Sequence, residues 1–342
     1  MTGPARGAAA AALVLALLAV PGCGGEAARP ARTVTVYVSE DRVFSEPILR
    51  AFERETGIRV EAVYDTEEAK STGVMNRLLA ERDHPRADVY WANEPIRAEV
   101  LKREGVAAPY VSPAAEGIPP GLRDPDGAWT GFSARLRVLV VHRDVEDPPA
   151  SILAYADPAW KGRGVIANPL FGTTTSHVAA LFAAWGDERA RDFLERVKAN
   201  GTAISTSNGE SADLVASGRY DFALVDSDDA VARMRQGRPV SLVYPDQEEG
   251  GLGCFLVPNA VVLVRGAPHP EEGKRLIDYL LSPATEEALA KADCAQLPLH
   301  PGVPGPAELR PIEELRVMRV DWGEVARKMV EIQPLLEEWS RR

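Results

Sequence analysis

Asp226-Ser227-Asp228-Asp229 places three carboxylates within four residues, where the apolar run Phe222-Ala223-Leu224-Val225 gives way to Ala230-Val231-Ala232-Arg233. Like charges about 4 Å apart repel by roughly 4 kcal/mol near a protein surface. A cation bound among them removes that cost. Carboxylate oxygens are hard donors and suit hard cations such as iron, manganese, calcium or magnesium, and they also suit an organic ammonium. A single acid is enough to cap a helix and complement its positive end, which leaves two acids here asking for a partner. The run before the acids reads as a buried strand and the stretch after them as a helix. That junction is where an open α/β sheet keeps its ligand.

No H-E-x-x-H, G-x-S-x-G or P-loop motif occurs, and the five histidines are scattered. Asp228 and Asp229 are adjacent on one turn, whereas a glycosidase needs two carboxyls about 5–9 Å apart across a cleft. The chain is therefore expected not to be an enzyme. His177, on the first turn of a helix, is expected to be solvated or capping rather than a ligand. Tyr244-Pro245-Asp246-Gln247, before the glycine-rich Gly250-Gly251-Leu252-Gly253, reads as a loop. Tyr90 and Trp91 end a strand and either wall a cleft or belong to the core.

These groups must be positioned by the rest of the 342 residues, and the chain opens with an export signature. Ala8 to Val20 form an apolar run of thirteen after a single basic residue, Arg6, and before Pro21-Gly22-Cys23. The run is too short to span a membrane and has the layout of a secretory signal. Ala19-Val20-Pro21-Gly22-Cys23 resembles a bacterial lipobox, so residues 1–22 are expected to be removed and Cys23 lipidated, with 23–32 as a flexible tether. Removal takes away Arg6 alone and moves the net charge from −11 to −12. That balance excludes a nucleic-acid footprint and adhesion to anionic lipid through basic patches, leaving the lipid as the only membrane contact. Of three cysteines, Cys254 and Cys294 remain, and in an oxidising compartment they are expected to pair.

Thr33 to Val38 alternates as a strand, Ser45 to Glu55 has helical spacing closed by Gly57, and Ile58 to Tyr64 alternates again. Strand, helix, strand calls for a parallel sheet. A helix around Thr72 to Arg82, a strand at Ala87 to Trp91 and a helix through Lys102 continue the pattern. Further strands are expected at Arg137 to His142, Gly164 to Ala167, Phe222 to Val225, Val240 to Tyr244 and Ala260 to Val264, with a helix from His177 to Trp185.

Val34-Thr35-Val36-Tyr37, Ala51-Phe52-Glu53-Arg54-Glu55-Thr56-Gly57-Ile58-Arg59-Val60, Ala87-Asp88-Val89-Tyr90-Trp91, Tyr155-Ala156-Asp157-Pro158-Ala159-Trp160-Lys161-Gly162 and Gln296-Leu297-Pro298-Leu299 occur in that order. Together they resemble the bacterial ferric-iron-binding proteins, the solute-binding components of iron ABC transporters. The resemblance implies an α/β fold, a two-lobed type II periplasmic binding protein with a crossover-strand hinge near Arg135 and Cys254. It implies one lobe from 33–134 with 255–303 and another from 135–254 with 304–342. It further implies an exported monomer that delivers its cargo to an ABC permease.

By the same resemblance the family's histidine ligand falls on Asp41, beside Glu40, and its glutamate ligand on Asn93, beside Glu94. The paired tyrosines that hold ferric iron fall on Asp228 and Asp229, so carboxylates replace phenolates. The implied metal set is Asp41, Glu94, Asp226, Asp228 and Asp229, with iron as the leading cargo. Arg135 falls where the family places a cleft arginine that contacts a co-bound anion. Thr173 and Thr174, in Gly172-Thr173-Thr174-Thr175 before a helix, have the hydroxyls and free N–H groups to share that anion. A polyamine, thiamine, or a phosphorylated or carboxylated solute stands as the alternative cargo.

Overall fold

The computed structural model describes Met1, Gly3 and residues 32–65 and 73–341. The signal segment and Cys23 lie outside the described residues. Among those described, no helix is long and apolar enough to cross a membrane.

Strand β1 (Thr33–Val38) leads into α1 (Arg42–Thr56), and Gly57 ends that helix in the left-handed conformation at φ 68°. Strand β2 (Arg59–Tyr64) returns parallel to β1. Helix α1 begins at Arg42 rather than at Ser45, with Asp41 as N-cap and Pro47 inside the helix. Helix α2 (Gly73–Ala80), strand β3 (Val89–Ala92), helix α3 (Pro95–Arg103) and the short β4 (Ala107–Ala108) follow. The chain then enters β5 (Thr130–His142), the longest strand. Beyond it come β6 (Gly164–Ala167), α4 (Gly172–Trp185), α5 (Asp187–Ala199), β7 (Ala203–Ser205), α6 (Asn208–Ala216), β8 (Phe222–Asp226), α7 (Ser227–Arg235) and β9 (Val240–Val243). Strand β10 (Leu256–Val264) carries the chain back, and α8 (Pro270–Leu280), α9 (Pro283–Lys291), α10 (Trp322–Glu331) and α11 (Gln333–Arg341) complete it.

The strands form one sheet in the order β2-β1-β3-β10-β5-β8-β6-β7, with β4 beside β10 and β9 beside β5. Each flank is parallel, β2-β1-β3 on one side and β8-β6-β7 on the other. The antiparallel pair β5 and β10 joins them. Both faces are covered, which explains the continuous apolar runs. Val138 and Val140 belong to one hydrophobic cluster, while Leu139 and Val141 between them belong to the other.

The expected Cys254–Cys294 disulfide is not formed; both are free, buried thiols. Cys254 packs ahead of β10, its Sγ 3.8 Å from Pro245 O, while Cys294 follows α9, its Sγ 3.4 Å from Leu289 O. Burial pushes each thiol up to about 12. Such groups pack as small apolar residues.

Candidate functional site

Asp226 is the last residue of β8 and the N-cap of α7, which puts Asp228 and Asp229 in the first turn of that helix. Their carboxylate oxygens come within 4.8 Å of one another, the one such group of three or more among the described residues. Asp228 Oδ1 is buried with no hydrogen-bond partner. Burial pushes Asp228 up to about 6, with Asp226 adding to the rise and Arg135 opposing it. Asp229 is raised as well, by burial first and then by Asp228 and Asp226. Such a trio at neutral pH holds more negative charge than it can neutralise internally.

Two arginines on β5 face it. Arg137, fully buried, sits opposite Asp226 in the β5–β8 register. Its Nη1 donates to Asp226 Oδ1 at 2.9 Å, to Asn208 Oδ1 at 3.0 Å and to Thr173 Oγ1 at 3.1 Å, and its Nη2 donates to Thr174 Oγ1 at 3.2 Å. Thr173 Oγ1 donates in turn to Asp226 Oδ2 at 2.8 Å. Both threonines are thus buried inside an ion-pair network, in the first turn of α4 rather than in a loop before it. Arg135 donates from Nη2 to Asn93 O at 2.7 Å and lies 3.8 Å from Asp226 Oδ2. Burial alone would lower its pKa, but Asp226, Glu40, Asp228 and Glu94 together raise it.

The remaining expected ligands fall elsewhere. Glu94 is buried and accepts from Ser176 Oγ at 2.5 Å, with Arg97 Nε 3.4 Å away. Asp41 is half-buried at the head of α1, and neither it nor Glu94 is within the three-carboxylate group. Glu40 is buried and receives Gln296 Nε2 at 3.3 Å. His177 is neither solvated nor capping: it is buried and stacked on Phe255 with ring centroids 5.1 Å apart. Burial first and Arg137 second push it down to about 3. Tyr90 and Trp91 are core residues, their polar atoms bonded to Ser39 and Asn259. Asp246 is buried against Ser151 and Gln247 binds the backbone of Arg316, so that loop ties down the segment before α10.

Sequence reasoning missed Arg137, Asn208 and Ser176. Arg137 did carry a signal, since an arginine within Leu136-Arg137-Val138-Leu139 has to find partners inside the protein. Asn208 and Ser176 carried none.

Two parallel half-sheets joined by an antiparallel crossover pair, with the acids at the end of β8 facing arginines inside the crossover strand β5, define a two-lobed type II binding protein. The chain belongs to the bacterial extracellular solute-binding protein family, which its residues 34–292 match. Members serve transport by binding a solute and are not enzymes. Iron uptake protein A1 of Synechocystis sp. is 29% identical over 285 residues, covering 79% of this chain and 77% of the relative. A periplasmic protein of Salmonella paratyphi A named for 2-aminoethylphosphonate binding is 26% identical, covering 88% of this chain and 87% of its own length. The crystal structure of iron-bound HitA from Pseudomonas aeruginosa superposes with a TM-score of 0.78 at 24% identity, over 89% of this chain and 99% of that one.

Proposed function

We propose that the protein is the cargo-binding component of an ABC importer, exported as a monomer, anchored by lipid on Cys23, and that its cargo is ferric iron. The three-carboxylate group of Asp226, Asp228 and Asp229 carries this reading. Three acids brought within 4.8 Å, two of them with raised pKa values, are costly in the empty protein and are relieved by a highly charged hard cation. Glu94 and Asp41 complete the donor set when the lobes, residues 33–134 with 255–303 and 135–254 with 304–342, close about β5 and β10. Arg135 meets an anion carried with the metal. Thr173 and Thr174 support that anion only through Arg137 and Asp226, which already engage their hydroxyls. The iron-named relative and the likeness to iron-bound HitA favour iron among the hard cations.

A second reading follows from the replacement of phenolates by carboxylates and from the Salmonella relative. An aminophosphonate pairs an ammonium, which the acids would hold, with a phosphonate, which Arg135 would hold. A thermal-shift screen of metal-stripped protein from residue 24 separates the two. Its ligands are ferric citrate, ferrous iron, manganese, calcium, polyamines, thiamine and 2-aminoethylphosphonate, repeated with Asp228→Ala/Asp229→Ala. A ferric-specific shift lost in the double variant supports the iron reading. A shift with the aminophosphonate alone replaces it with the second.

A further inference from the structure

Strand β5 contains a bulge near its start. Ala134 pairs with Pro258 and Phe132 with Asn259, so Ser133 is the extra residue between them. It adopts φ 39°, in the left-handed region that non-glycine residues seldom occupy and that bulges of this kind usually give to glycine. Its hydroxyl is buried without a partner, so the side chain does nothing to hold the bend. The backbone is held from outside. Ser133 N donates to Glu286 Oε1 at 2.7 Å, and Ser133 O accepts from Asn259 Nδ2 at 3.0 Å.

Glu286 is fully buried on α9 and also accepts from Leu299 N at 3.0 Å, His300 N at 2.9 Å and His300 Nδ1 at 2.8 Å. The other nitrogen of His300 lies 3.0 Å from Ala114 O. On the far side of the bulge, Asn259 Nδ2 reaches Gln296 Oε1 at 2.7 Å, and Gln296 Nε2 reaches Glu40 Oε1 at 3.3 Å. The bend therefore has Arg135 two residues further along its own strand and Glu40 three hydrogen bonds away, through Asn259 and Gln296. A bulge re-aims the side chains that follow it, and a one-residue slip would turn Arg135 to the opposite face.

We infer that Glu286 is a positioning residue for cargo capture: it holds the Ser133 bulge in place of a glycine and thereby aims Arg135 at the acidic cleft. This rests on the cleft being the cargo site. Glu286→Leu keeps a side chain of similar size but has no acceptor oxygen, so Ser133 N loses its clasp. Ser133→Gly in the same background lets the bulge hold itself.

The test combines hydrogen exchange of segment 130–136 in cargo-free protein with calorimetric titration of ferric citrate. Glu286→Leu is expected to speed exchange of the segment about tenfold and weaken binding about tenfold, and addition of Ser133→Gly to restore both. Unchanged exchange in folded Glu286→Leu, or no rescue by Ser133→Gly, overturns the inference. Should Glu286→Leu fail to fold, Ser133→Thr leaves the clasp intact but puts a β-branched residue at φ 39°. It is expected to show the same two losses, and wild-type behaviour overturns the inference. Exchange is read without cargo, so a wild type that ignores ferric citrate counts against the iron reading and leaves the role of Glu286 to the exchange data.

Discussion

Asp228 is the clearest case of a side chain placed for something other than stability. Its Oδ1 has no partner, and its folded-state pKa of about 6 stands above the ordinary 3.8. A carboxyl raised in this way contributes stability that is fully present below 3.8 and is lost as pH rises through about 6. The cargo-free protein at neutral pH thus carries a buried charge that Arg135 only partly offsets and that Asp228→Asn removes. The variant is expected to be more stable than wild type by about 1–3 kcal/mol at pH 7, with the difference vanishing below about pH 4. Melting temperatures of both proteins across that range check this, and a difference independent of pH would contradict it. The acids are legible in the sequence because they are adjacent. Their partners Asn208, Thr173 and Arg137 stand 18, 53 and 89 residues from Asp226, and spacing alone carries no register between segments.

Strand β5 and helix α4 together make the buried network that supports Asp226. Replacing Arg137 by Leu leaves that carboxylate buried without its main counter-charge, which costs about 3–5 kcal/mol. Urea denaturation should show this loss, and a near-zero change would mean that Thr173 and Asn208 suffice. Packing of α4 on the segment just ahead of β10, through His177 and Phe255, has its own pH signature. His177 titrates near 6.5 in the unfolded chain and at about 3 in the folded one, so stability falls as pH drops through that window. His177→Phe is expected to lose stability less steeply than wild type between about pH 7 and pH 4, read by the same denaturation. Identical slopes would contradict the assigned burial. Element identity was legible where alternation was clear, as in β1 and β2, and where a short apolar run marked a buried strand, as in β6 and β8. The start of α4 was not, because Phe171 caps it without any side-chain bond, leaving no local cue that Thr173 and Thr174 lie inside the helix.

For the molecule as a whole, the alternation of strands and helices together with the family resemblance pointed to a two-lobed binding protein. The central β5–β10 pairing, the Ser133 bulge and the clasp from Glu286 depend on contacts between segments more than a hundred residues apart and have no local signature. The same holds for the cysteines, whose location in an exported chain favoured a bridge that the packing does not form. Because Cys254 and Cys294 are separate buried thiols, protein from residue 24 should resist thiol-reactive dye while folded and show two reactive groups in denaturant, with or without prior reduction. A single anomalous-difference map, collected at the iron edge from crystals grown with ferric citrate, tests the cargo site most directly. Ferric iron is expected as one peak within about 2.3 Å of carboxylate oxygens of Asp226, Asp228 and Asp229. No peak, or one coordinated by other residues, would contradict the assignment of the acidic turn as the iron site.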